Sequence, residues 1–394
     1  MSHAHLFSRF LGGDRLHFAA HSHHPWPDVS FEAHQLAWLD AAALMDAKWE
    51  RVMGEVVPEA QGHIAGRLGL PDPATIAFAP NTHELVGRLV SALAPPVRIL
   101  TTDGEFHSFR RQAARWEEAR RAAVTRVPVE PLDTFPYRFQ AAARARDYDL
   151  VYASHVFYDS GYVIPDLVGW VRSLPPEGKI VIDGYHGFMA IPTHLGPIAG
   201  RAFYLAGGYK YAMAGEGACF MHCPPGQARR PMDTGWYAGF DRLEEGVGSV
   251  EYPGDGRRFW GATFDPSGLY RFNAVQRLLD REGLDVGTIH AHVGALQTRL
   301  FAATADRGMD LGELVPPESG FSDRGHFLTY RTPQAVALTD ALAARRVTID
   351  RRADRVRFGF GIHHTEEDVD RLVDILVDIL DDMETTTTPK EAAR

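Results

Sequence analysis

Residues 202–224 read AFYLAGGYKYAMAGEGACFMHCP. Two apolar runs, AFYLA and ACFMHC, flank a glycine-rich turn that carries one lysine, Lys210, between Tyr209 and Tyr211. Short runs this apolar suit strands buried on both faces. A lysine there is out of place, because long cationic side chains normally stay in water. Its plainer reading is a surface lysine in a hairpin loop. If the amine is instead desolvated, it gives up its proton easily and attacks carbonyl carbon.

Upstream, KIVIDGYH (179–186) is another apolar run, and it closes on Asp183. An acid at the end of a buried strand must find a partner. Aspartate closing one strand and lysine closing a later one form the pair that a pyridoxal 5'-phosphate (PLP) enzyme requires. The lysine forms the Schiff base, and the carboxylate holds the pyridinium nitrogen.

Working outward, strand-like runs recur at ATIAFAP (74–80), VRILTTD (97–103), AVTRVPV (123–129) and DLVYASHV (149–156). Helical stretches such as HELVGRLVSAL and SFRRQAARWEEARRAA separate them. Strands alternating with helices predict an α/β fold with a mostly parallel seven-stranded sheet. Ligands of such sheets bind outside the carboxyl ends of the strands, where Asn81, Phe106, His155, Asp183 and Lys210 all fall.

Before the first strand, residues 31–68 have helical apolar spacing that Pro58 interrupts. The N-terminal stretch holds His17, His21, His23 and His24, without the cysteines or clustered carboxylates of a matched metal set. No metal site is expected there. After Phe264, two amphipathic helices precede FLTYR, VTIDRR and RVRFGFG, which read as short strands. The expected organisation is an N-terminal arm and first helix (1–45), a large domain (46–265), a smaller α+β domain (266–384) and a disordered tail (385–394).

Composition narrows the function. The 394 residues carry 41 basic against 51 acidic side chains, a net charge of −10, which argues against nucleic acid or an anionic membrane as the main partner. No apolar run approaches the ~20 residues of a membrane span, and the start, MSHAHLFSRFLGG, lacks a signal-peptide core. Cys219 and Cys223 sit within one short strand and its exit, so a disulfide framework is not expected and the reducing cytoplasm is.

Three smaller motifs add candidates. NTHEL (81–85) opens a helix after a strand, which suits a phosphate dianion, though Asn81 or Thr82 would equally serve as a plain N-cap. Phe106 in EFHSF is placed to stack on a flat cofactor, or to fill the core. Arg357 in RVRFGFG offers a bidentate cation for a substrate carboxylate, or a surface salt bridge.

At this point the residues reach a known family. GGYKYAMAGEG resembles the lysine motif of kynureninases, members of the class V aminotransferase-like, fold-type I PLP enzymes, with Tyr209 directly before Lys210. SHVFYDSG (154–161), DGYHGF, GWYAG (235–239), RRFWGAT (257–263), SDRGHFLTYR (322–331) and RVRFGFGIHHTEEDVDRL (355–372) are similar to further segments of that family. The resemblance covers most of residues 70–380. It implies that Lys210 binds PLP and shuttles protons, Asp183 pairs with the ring nitrogen beside His186, and Phe106 stacks on the ring. It further implies that Thr82, the His83 backbone and Tyr209 hold the phosphate, with Trp236 and Thr263 from the partner of a homodimer. Arg357 would take the α-carboxylate of an amino-acid substrate, and Tyr209 would serve as acid and base.

The implied reaction is hydrolysis of a Cβ–Cγ bond, kynurenine giving anthranilate and alanine. An aminotransferase is the alternative. A β-lyase or desulfurase fits less well, since Cys219 and Cys223 lie in the lysine strand instead of a mobile loop, and a non-catalytic binding protein fits least. Several expected substrate-side positions differ: Ala238 and Gly239 stand without the family histidine, His107 and Phe109 replace its proline and aspartate, and Asp159 replaces an arginine.

Overall fold

In the computed structural model, residues 3–12, 15–242, 250–317 and 324–387 are described. The chain divides into two compact units. The larger comprises Val29–Tyr158 and Tyr162–Val286, the smaller Met1–Asp28, Asp159–Gly161 and Gly287–Arg394.

The larger unit is built on seven strands: β1 (Ile76–Ala79), β2 (Val97–Thr102), β3 (Ala122–Val127), β4 (Leu150–Ser154), β5 (Lys179–Asp183), β6 (Ala202–Gly207) and β7 (Cys219–His222). Their order across the sheet is β1-β7-β6-β5-β4-β2-β3. All run parallel except β7, which is antiparallel to both neighbours. The mostly parallel seven-stranded sheet read from the sequence is therefore present. Every residue of β1, β4, β6 and β7 is buried, as a sheet covered on both faces requires. Edge strand β3 is only partly covered. Helices Thr82–Ser91, His107–Glu118, Phe135–Ala145 and Leu167–Ser173 connect the strands.

The expected domain boundaries need correction at both ends. Helix Ser267–Arg281 was assigned to the small domain but belongs to the large unit. Its Tyr270 hydroxyl donates to Asp40 at 2.8 Å, and its Asn273 amide donates to the Val56 carbonyl at 2.9 Å. Helix Val29–Leu44, which supplies Asp40, is likewise part of the large unit and no N-terminal appendage. Residues 3–28 join the small unit, because Leu16–His17 pairs in parallel with Val347–Thr348. Apolar spacing shows that a helix has a buried face, and says nothing of which element covers it.

The smaller unit holds a four-stranded antiparallel sheet of Glu313–Val315, Phe327–Arg331, Asp350–Arg352 and Arg355–Gly359. Its core gathers Phe18, Leu328, Val356, Phe358, Phe360 and Leu376. Helix Glu366–Thr387 extends through Thr385–Thr387, residues expected in the disordered tail; the rest of that tail lies outside the described residues. No helix among the described residues is long and apolar enough to cross a membrane.

Candidate functional site

Since β5 and β6 are neighbours and parallel, their carboxyl ends bring Asp183 and the turn after Gly207 to one edge of the large unit. The lysine turn is shaped by glycine. A Cβ added at Gly207 would lie 2.6 Å from the Cys219 sulfur and 2.7 Å from the Tyr185 hydroxyl, so only glycine lets the chain leave β6 there. The turn then closes with Met213 N–H donating to the Lys210 carbonyl at 3.0 Å and Ala214 N–H to the Gly208 carbonyl at 2.8 Å. Arg271, buried on helix Ser267–Arg281, holds the following loop. Its Nε donates to the Ala214 carbonyl at 2.8 Å and its Nη2 to the Glu216 carbonyl at 2.5 Å.

The Asp183 carboxylate accepts the Tyr152 hydroxyl at 2.7 Å on one oxygen and the Tyr185 N–H at 3.0 Å on the other. Burial pushes its pKa up, while those two hydrogen bonds and the nearby Lys210 charge pull it down. Lysine and aspartate thus sense each other, and both are half-buried. Tyr209 is half-buried too, its hydroxyl pushed up by burial and by Glu216. His186 is buried, with its ring edge-on to Tyr211 at 6.5 Å.

Phe106, at the cap of helix His107–Glu118, is 42 % exposed and stands edge-on to Tyr158 at 5.4 Å. It is therefore no core phenylalanine, and its ring is open to a flat ligand. At the start of helix Thr82–Ser91, Asn81 accepts the Glu84 N–H at 3.0 Å, an N-cap interaction. The Thr82 N–H is turned toward Cys219, whose thiol burial pushes up to about 11. His83 is exposed, as are Trp236 and Thr263.

Arg357 belongs to the smaller unit. It is 2 % exposed and forms an ion pair with Asp350, so the surface salt bridge considered from sequence is a buried one. The guanidinium lies 5.7 Å from the Phe327 ring centroid, and His21 stacks on that ring at 4.6 Å. Arg355 pairs with Asp159 at 2.6 Å within the same unit.

Two groups escaped the sequence reading. The sequence reading gave no role to Tyr152 in DLVYASHV or to Glu105 in EFHSF. Glu105 is fully buried, accepting the Thr102 hydroxyl at 2.7 Å on one oxygen, with the Ser154 hydroxyl oxygen 2.6 Å from the other. Its position directly before an exposed aromatic, after an apolar strand, was the available signal. His155 is also buried, and burial alone holds it down to about 4, so it is neutral.

A model of the kynureninase C-terminal domain family matches residues 290–376. No curated protein matches the chain. Among solved structures, a mutant of C-DES with glycine covalently linked to its PLP cofactor superposes with a TM-score of 0.78 at 16% identity, covering 96% of this chain and 100% of that one. The apo cysteine desulfurase of Thermococcus onnurineus NA1 gives 0.78 at 15% identity over 94% and 95%. The cysteine desulfurase CsdA of Escherichia coli gives 0.74 at 15% over 96% and 98%. At such identities the likeness is one of fold: the chain has the fold-type I architecture of these proteins.

Proposed function

We propose that the protein is a PLP-dependent enzyme acting on an amino acid, with hydrolytic Cβ–Cγ cleavage of the kynureninase type as its reaction. The observation that carries the reading is that Lys210, in the turn just beyond β6, lies within electrostatic reach of Asp183 at the end of the adjacent parallel strand β5. The residues present fit the cofactor: a lysine and a carboxylate in mutual electrostatic reach, an open phenylalanine ring, and a helix start with N–H groups for a phosphate. Bound there, PLP supplies an electron sink that lets bonds at the substrate's α- and β-carbons break.

Asp183 would hold the ring-nitrogen proton, oriented by Tyr152 and the Tyr185 N–H. Lys210 would bind the cofactor aldehyde and carry protons to and from the substrate. Tyr209, with its hydroxyl pushed up, would donate a proton at neutral pH. Phe106 would cover one ring face, His186 would flank Asp183, and Thr82 with the His83 backbone would hold the phosphate. Arg357 would take the substrate carboxylate through its guanidinium, whose fixed fork matches a carboxylate.

A homodimer would let Trp236 and Thr263 reach the partner's phosphate. The large unit's exposed Trp38, Leu39, Met45 and Phe240 support such an interface. The two cysteines are both free thiols, which suits the reducing cytoplasm.

The family-model match over 290–376 favours the kynureninase reading over a desulfurase. A sulfur-accepting cysteine must reach its substrate as a thiolate. Here both thiols are buried, pushed up to about 11 at Cys219 and about 12 at Cys223. The test is to offer kynurenine to PLP-loaded protein and follow anthranilate fluorescence. Turnover without a 2-oxo acid supports hydrolysis. Turnover only with 2-oxoglutarate or pyruvate would make the protein an aminotransferase, and a spectral response without product a binding protein.

A further inference from the structure

Behind Asp183 lies a second carboxyl group that the proposed chemistry does not use. Glu105 follows β2, and its side chain spans to the end of β4 with no exposure to water. Its Oε1 accepts both the Thr102 hydroxyl at 2.7 Å and the Ser154 N–H at 3.2 Å. Its Oε2 lies 2.6 Å from the Ser154 hydroxyl. No cation faces it. The titratable groups that act on it are Asp183 at the end of β5 and Tyr152 on β4, which bonds Asp183; His155, next in the chain to Ser154, is neutral. On its own turn, Asp103 is occupied with the Val129 N–H at 2.9 Å.

A buried carboxylate with no cation and an anionic neighbour is costly, and the group keeps its proton instead. Oε1 already accepts two donors, which places that proton on Oε2, directed at the Ser154 oxygen. Ionisation reverses this bond, and the serine hydroxyl then donates to Oε2.

We propose that Glu105 is a positioning residue that carries a proton in the resting site, leaving Asp183 as the anion behind the cofactor ring, and that its ionisation adds a second negative charge acting through Asp183. This rests on the PLP reading of the site. Burial, the first cause, and the Asp183 charge push Glu105 up to about 8, so the change falls near physiological pH. A cation bound at Asp183 favours the ionised form. Loading with PLP therefore lowers the Glu105 midpoint, and by linkage PLP binds more tightly above it. Each unit of that decrease corresponds to a tenfold gain in affinity.

The test has two readouts on the full chain. In PLP-free protein, infrared difference spectroscopy follows the stretch of a buried protonated carboxyl between pH 6 and 10. The band is expected to fade with a midpoint near 8 in wild type, to be missing in Glu105→Gln, to persist in Asp183→Asn, and to fade at higher pH in Ser154→Ala, which removes a bond to the anion. PLP affinity measured by fluorescence quenching should rise more steeply across the same range in wild type than in Glu105→Gln, where only the Lys210 amine and PLP itself titrate. An unchanged infrared step in Glu105→Gln, or identical affinity profiles in the two proteins, overturns the proposal. Failure of PLP to bind at all would strike the functional reading, and the infrared titration would still decide whether Glu105 holds a proton. If Glu105→Gln does not fold, the Ser154→Ala shift decides instead.

Discussion

Lowering the pH from 7 to 5 is expected to remove much of the smaller unit's stability through three buried histidines. His24 is held down to about 3, His364 to about 3, and His363 well below the usual range, each mainly by burial and further by its histidine neighbours. The three pack together, His363 lying 3.9 Å from His364 and 5.3 Å from His24 between ring centroids. In the unfolded chain each takes up a proton near pH 6.5. The native state binds fewer protons, so the stabilisation is complete above about 6.5 and is lost as pH falls toward 3. At pH 5 the unfolded chain gains about 2 kcal/mol for each of His24 and His364, about 4 kcal/mol for the two, with His363 acting in the same direction, against the 5–15 kcal/mol of a typical fold. Urea unfolding at pH 7, 6 and 5, with tryptophan fluorescence and circular dichroism as probes, measures this. His24→Phe, which keeps an aromatic ring beside Phe7 and His363, should cut the pH 7-to-5 loss by about 2 kcal/mol. A total loss below about 2 kcal/mol, or one unaltered in His24→Phe, would refute the reasoning.

Gly207→Ala should cost about 1–3 kcal/mol and impair PLP loading, since its Cβ would collide with the Cys219 sulfur and the Tyr185 hydroxyl. Wild-type values for urea midpoint and PLP affinity would show that the close approach is not needed. Arg271→Ala strands the Ala214 and Glu216 carbonyls and should lower stability by about 2–4 kcal/mol, with Arg271→Lys recovering only part; calorimetry on the three proteins decides.

The sheet was legible because strand runs such as AFYLA and KIVID are uniformly apolar and separated by helical spacing. At the strand ends Asp183 and Lys210 stand out in the sequence as polar residues closing apolar runs, and the fold brings them to the same edge of the large unit. Glu105 stayed hidden because its partner Ser154 is 49 residues away, and no local pattern records that β2 and β4 are neighbours. For Arg357 the sequence offered a salt bridge but not its partner or its burial: Asp350 lies on the neighbouring strand, seven residues away in VTIDRR. The unit boundary was misplaced for a related reason. Helix Ser267–Arg281 advertises an apolar face, while its match to Val29–Leu44 rests on Tyr270 meeting Asp40 across 230 positions.

The account stands most directly on the amine of Lys210, one of four lysines with Lys48, Lys179 and Lys390. Incubation with PLP, borohydride reduction and peptide mass spectrometry should place one pyridoxyl phosphate group on the peptide carrying Lys210, with none on the Lys210→Ala protein. Label spread over the other three lysines, or no label at all, would contradict it.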